Sequence, residues 1–209
     1  MVRAPADWRK ILRRAEVLVR RRDLRSLELL LPALAWRSVA ARNRVVALFA
    51  RMGPIAVPAL LERLEGARAA TERAGAAESL GRIGDSRAVS RLIRALEDSA
   101  MTVQQASMLA LLRLEAMNAV PRIARLLEDA SGGVRATAAV VLGRFEDPRA
   151  VPPLIRALDD NRWDVRQASA TALGQIGDQR AEPALEKATH DPQKSVARAA
   201  AAALRALRA

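Results

Sequence analysis

Apolar residues return along this chain at helical spacing, and the helical segments themselves return at a fixed interval. In AVPPLIRALDD, residues 150–160, the residues Val151, Leu154, Ile155 and Leu158 make one stripe of a 3.6-residue period. In VRQASATALGQIG, residues 165–177, a second stripe runs through Val165, Ala168, Ser169, Ala172, Leu173 and Ile176. Its small side chains let neighbouring helices approach closely. The two stripes predict a helix pair.

A ten-residue phrase joins one pair to the next: SLGRIGDSRA at 79–88, VLGRFEDPRA at 141–150 and ALGQIGDQRA at 172–181. Its anchor leucines, Leu80, Leu111, Leu142, Leu173 and Leu204, are 31 residues apart, and Leu48 lies 32 before Leu80. Other columns keep step: Ala56, Ala88, Ala119, Ala150 and Ala181; Leu60, Leu92, Ile123, Leu154 and Leu185; Val103, Val134, Val165 and Val196. A fixed period in this range marks a stacked-repeat protein, because a single pair cannot bury both of its stripes. Pro58, Pro121, Pro152 and Pro183 recur near the start of the first helix, where a missing amide costs nothing. Gly84 and Gly177 fall where a helix end needs positive φ, and Asp85, Asp147 and Asp178 follow as N-caps. The phrase therefore reads as a corner.

These residues resemble the HEAT repeats of the phycobilisome-lyase-like group, over about residues 40–209. The likeness rests on L-G-x-I-G-D-x-R-A-x-x-x-L followed by D-x-x-x-x-V-R-x-x-A. It implies an all-α solenoid, a right-handed superhelix. It also implies a ladder from a turn Asp (Asp98, Asp129, Asp160, Asp191) to the residue after Val. That second column holds Arg73, Gln104, Arg135, Arg166 and Ala197, so only its middle looks intact and the ladder is expected to fray at Gln104 and Ala197. Residues 23–52 supply one divergent pair and 1–22 a lone capping helix starting near Asp7, ahead of regular repeats over 53–209. The expectation is a single domain of about six pairs plus the cap.

Composition narrows the chemistry. With no Cys and only His190, disulfides, thiolate metal sites and most zinc constellations are excluded, as are the common nucleophile–base pairs. The adjacent carboxylates Glu97–Asp98, Glu128–Asp129 and Asp159–Asp160 recur with the period and read as turn residues, and His190 falls in the same solvated column. No catalytic residue, metal or cofactor is expected. No apolar run reaches the roughly 18 to 20 residues of a membrane span, and Asp7 and the charges after Arg3 leave no room for a secretory core, so a cytoplasmic protein is expected.

Recognition remains. The resemblance places the second helix of each pair on the concave side. The outward positions there are Glu78 and Arg82; Gln105, Leu109 and Arg113; Thr137, Val140 and Arg144; Trp163, Gln167, Thr171 and Gln175; and Arg198. Rich in Arg and Gln, this strip suits an acidic or mixed-charge protein segment. Trp163 has two readings, an exposed anchor or a lid packed over the inter-helix turn. Trp8 and Trp36 are expected to cover the N-terminal end of the core.

The net charge of +12 is uneven: residues 1–51 carry 13 Lys/Arg against 4 Asp/Glu. In the first helix Trp8, Ile11, Leu12, Ala15, Leu18 and Val19 share one face, and Arg9, Lys10, Arg13, Arg14, Arg20, Arg21 and Arg22 the other. Such a helix caps a core and leaves a basic end for an acidic partner; it could also touch an anionic membrane or a nucleic acid. Aromatic platforms for single strands are lacking. The reading is a non-catalytic protein-interaction scaffold or assembly subunit. The alternatives are a nucleic-acid-associated HEAT-like protein and, as the resemblance implies, a bilin-lyase-like accessory factor.

Overall fold

The repeating columns form the core. Every anchor leucine, every member of the Ala56 and Leu60 columns and every member of the Val103 column is buried. The computed structural model describes residues 3–36 and 38–208, and among these there is no strand. The helices are α1 Trp8–Arg20, α2 Ser26–Ala33, α3 Val39–Met52, α4 Val57–Gly66, α5 Ala70–Ile83, α6 Val89–Arg94, α7 Met101–Arg113, α8 Val120–Arg125, α9 Gly132–Phe145, α10 Val151–Ala157, α11 Trp163–Ile176, α12 Glu182–Ala188 and α13 Lys194–Leu207. After the lone α1 they fall into six pairs, the α-solenoid arrangement. The chain divides into two compact units, α1–α7 up to Leu114 and α8–α13 from Glu115 onward.

In the first unit α5 packs between α3 and α7; in the second α11 packs between α9 and α13. The long second helices can stack this closely because one column is glycine. A Cβ on Gly143 would lie 2.7 Å from the Cα of Ala172, and one on Gly174 would lie 2.8 Å from the Cα of Ala203.

The corners follow the sequence in most respects. Pro58, Pro121, Pro152 and Pro183 all stand in the first turn of their helices. Gly84 and Gly177 end α5 and α11 in the left-handed region, at φ 79 and 72. At the same point of the repeat Glu115 and Glu146 adopt φ 51 and 52, which a side chain tolerates poorly. Asp85, Asp147 and Asp178 each accept the amide two residues on, so they cap a one-turn 3-10 segment that leads into the first helix.

Each of these aspartates is gripped in turn by the following arginine, which reaches back one repeat. Arg87 bonds the Pro54 carbonyl (3.3 Å), Arg149 that of Met117 (3.1 Å) and Arg180 that of Pro148 (3.1 Å). The Asp–Arg ladder is complete at three rungs: Arg73 with Asp98, Arg135 with Asp160 and Arg166 with Asp191, each a two-pronged bond of 2.6 to 3.0 Å. The Arg73 rung shows that it extends beyond the middle of the chain. Gln104 donates to the Leu96 carbonyl at 3.2 Å, and Ala197 has no donor to offer.

One expectation needs correction. Residues 39–66 do form a helical run with a window apolar and long enough to cross a membrane. The run is broken at Gly53 (φ 66), and Val45, Val46, Leu48, Phe49, Val57, Leu60 and Leu64 are buried in the first unit. Core packing takes up 39% of that window.

Candidate interaction surface

The strip assigned from the sequence to the second helices is accessible along its length, and none of its residues is buried. Most of it gathers into two clefts, one in each unit. The first unit holds a cleft of about 400 Å³ between α5 and α7, where Glu78, Gln105, Leu109 and Arg113 meet. Arg42 and Val46 of α3, with Thr71, Ala74, Thr102 and Ala106, complete its walls; sequence reasoning misses these. Thr71 and Ala74 stand two turns and one turn before Glu78, and Thr102 and Ala106 one turn before Gln105 and Leu109, which is the signal that finds them; Arg42 and Val46 lie on α3, where the strip has no member. Arg82 lies outside the lining and pairs with Glu78 at 3.0 Å, neutralising the acid of this cleft.

In the second unit Val140, Arg144, Trp163, Gln167, Thr171 and Gln175 line a cleft of about 380 Å³ between α9 and α11. Asp164 and Ala168 are the lining residues beyond the strip. Trp163 is 51% exposed and Val140 47%, so about half of the Trp surface is open to a partner. Arg162 bonds Asp164 through two nitrogens at 3.0 and 2.8 Å, and this side-chain pairing lowers the pKa of Asp164. With that carboxylate engaged, Arg144 is the open charge of the cleft: it forms no salt bridge among the described residues. Thr137 and Arg198 do not line the cleft. Thr137 bonds the Gly133 carbonyl at 2.8 Å and Arg198 that of Lys194 at 3.3 Å.

The basic end is built around a single acid. Glu16 of α1 accepts from Arg44 (2.9 Å), Arg51 (3.1 Å) and Arg20 (3.2 Å), which hold its pKa down at about 2. Leu12, Ala15 and Val19 are buried, so the apolar face of α1 does close the core. Trp36 is buried; Trp8 is half-buried with the Arg9 guanidinium 4.9 Å from its ring centre. Arg9, Lys10, Arg13, Arg14, Arg20, Arg21 and Arg22 are all exposed.

No group of side chains among the described residues has the makings of a metal site. No functionally characterised sequence matches the chain. Among solved structures it is similar to a designed armadillo repeat protein in complex with the peptide (KR)4, at 19% identity and TM-score 0.64, covering 94% of this chain and 99% of that one. A computationally designed armadillo repeat protein for modular peptide recognition gives 18% identity and TM-score 0.63, covering 93% and 99%. The CpcE–CpcF phycocyanin lyase complex of Nostoc is more distant, at 21% identity and TM-score 0.48 over 97% and 91%. The two armadillo likenesses speak to fold. A family model described as HEAT repeats matches residues 57–122 and 119–205. A period of 31, paired helices stacked within both units and a family model spanning most of the sequence agree: this chain belongs to the HEAT-repeat family.

Proposed function

We propose that this protein is a non-catalytic interaction scaffold or assembly subunit of the cytoplasm, which holds an acidic or mixed-charge partner segment against its second helices. One observation carries the reading. Trp163 and Val140, both about half exposed, flank a cleft whose open charge is Arg144. An exposed Trp beside an apolar wall and an Arg is the composition of a binding hot spot. The first-unit cleft repeats the theme with Leu109, 38% exposed, beside Arg113 and Arg42.

A designed armadillo repeat protein of similar fold is described with the basic peptide (KR)4. Here the chemistry is of opposite sign. The acids near both clefts are engaged by Arg82 and Arg162, while Arg113 and Arg144 form no salt bridge among the described residues and Arg42 bonds the Trp36 carbonyl. The basic face of α1 offers a second dock for an acidic partner.

The test is affinity capture from the native host, with and without nuclease, using the wild type and an Arg144→Ala/Trp163→Ala variant. A protein retained by the wild type, resistant to nuclease and lost by a variant of unchanged helical content supports the reading. Capture that the variant leaves intact, or that nuclease abolishes, contradicts it.

A further inference from the structure

The cationic face of α1 asks for more than a capping role. Leu12, Ala15 and Val19 are buried in the core and Ile11 and Leu18 half-buried beside them, and the helix's one acid, Glu16, is held by three arginines. Asp23, just beyond the helix, is taken by Arg25 at 2.5 Å. Among the described residues Arg9, Lys10, Arg13, Arg14, Arg21 and Arg22 form no salt bridge. At 100° per residue the helical ones, with Arg20, fan over an arc of about 140° with Val17 at its centre. Arg20, Arg21 and Arg22 stand at the C-terminal end, where cations complement the helix dipole. Arg9 and Lys10 stand in the first turn, where a positive charge opposes that dipole; the one acid there is the N-cap Asp7, whose side chain makes no capping bond. Helix stability does not account for them.

We propose that this face binds the phosphate backbone of a nucleic-acid duplex without reading its base sequence. This deepens the N-terminal part of the function above: it rests on α1 being an open dock and makes no use of the clefts. Three features select the occupant. Apart from Val17 at its centre and Trp8 at one edge, whose ring lies 4.9 Å from the Arg9 guanidinium, the arc is charge, so an acidic peptide would find little to anchor on between the cations, and exposed carboxylate–guanidinium pairs add little in water. A membrane-surface helix embeds its apolar face, which here is buried against the core. A duplex needs only charge, because each neutralised phosphate releases condensed counterions. Arginine also matches phosphate oxygens two at a time. The 13 residues of α1 extend about 20 Å, room for roughly six phosphates of one strand.

The experiment is fluorescence anisotropy with the full chain and a labelled DNA duplex of about 20 base pairs, titrated across salt concentrations. Four to six phosphate contacts give log K a slope against log salt of about −4 to −5. An Arg13→Gln/Arg14→Gln/Arg21→Gln variant keeps its helical circular dichroism, loses about 3 from that slope and binds at least about tenfold more weakly. An Arg144→Ala/Trp163→Ala variant binds the duplex as the wild type does, which separates this site from the clefts. The proposal is overturned by absence of binding at about 50 mM salt or by a triple variant that binds unchanged. It is equally overturned if polyglutamate of equal charge competes as well as the duplex, or if phosphatidylglycerol vesicles bind as tightly.

Discussion

Arg166 holds Asp191 in a two-pronged grip, Nε to Oδ2 at 2.7 Å and the outer nitrogen to Oδ1 at 3.0 Å, and its third nitrogen bonds the Asp160 carbonyl at 2.8 Å. One side chain thus ties its own helix start to the next pair. Both partners are mostly shielded, with side-chain exposures of 15% and 9%. Arg166→Ala leaves a shielded carboxylate and a carbonyl without their donor, and a loss of about 2 kcal/mol in urea unfolding is expected. Arg198→Ala, on an exposed arginine, is expected to stay within about 0.5 kcal/mol. Equal losses in the two variants would remove the ladder from the account.

The same carboxylates set an acid limit. Arg180 holds the Asp178 carboxyl down at about 2, and Arg44 with its neighbours does the same for Glu16. Arg166 likewise lowers Asp191. Burial pushes the Asp98 and Asp160 carboxyls up, but Arg73 and Arg135 outweigh it and both end lowered. A carboxylate lowered on folding contributes its full stabilisation above its unfolded pKa and loses it as pH falls through the folded one. The melting temperature should therefore hold from neutrality to about pH 5 and fall steeply between about pH 4 and 2. Thermal circular dichroism across that window checks it; a fall already under way at pH 6 contradicts it.

The left-handed glutamates offer a gain. Glu146 closes α9 at φ 52, where Gly177 closes α11 at φ 72. A left-handed residue with a Cβ costs about 1–2 kcal/mol, partly offset by the greater unfolded freedom of glycine. Glu146→Gly is expected to stabilise the protein by about 0.5–1 kcal/mol in the same unfolding assay. A neutral or destabilising result would show that the exposed glutamate contributes there in some other way.

Gly143 behaves oppositely. A methyl group there meets the Gln175 side chain, which can swing aside, and the backbone of Ala172 at 2.7 Å, which cannot. Gly143→Ala should force α9 and α11 apart and cost about 1–3 kcal/mol. Urea unfolding with unchanged far-ultraviolet dichroism at zero denaturant checks this.

Much of the fold could be read from spacing. The 31-residue columns named the buried positions, and proline and glycine marked the helix starts and ends, because each is tied to a single backbone requirement. What stayed hidden was pairing over distance. In G-D-x-R-A the aspartate is recognisable as a cap, but nothing local says that Arg87, Arg149 and Arg180 reach a carbonyl 32 or 33 residues earlier. Asp23 and Arg25 repeat the D-x-R grip in a stretch whose apolar columns have drifted too far to reveal it. The strip on the second helices was legible as exposed positions, since what remains after the core columns are assigned must face outward. Its division into two clefts, and the engagement of Glu78 and Asp164 by neighbouring arginines, depend on helix spacing and rotamers that periodicity does not encode.

The central claim is that a partner lies on Trp163. Replacing Trp8 and Trp36 with Phe makes Trp163 the sole indole, half exposed and emitting as a solvated ring. Titrating this variant with the captured partner segment should give a saturable blue shift that Arg144→Glu weakens at least about tenfold. Tight binding with Trp163 emission unmoved would contradict the account.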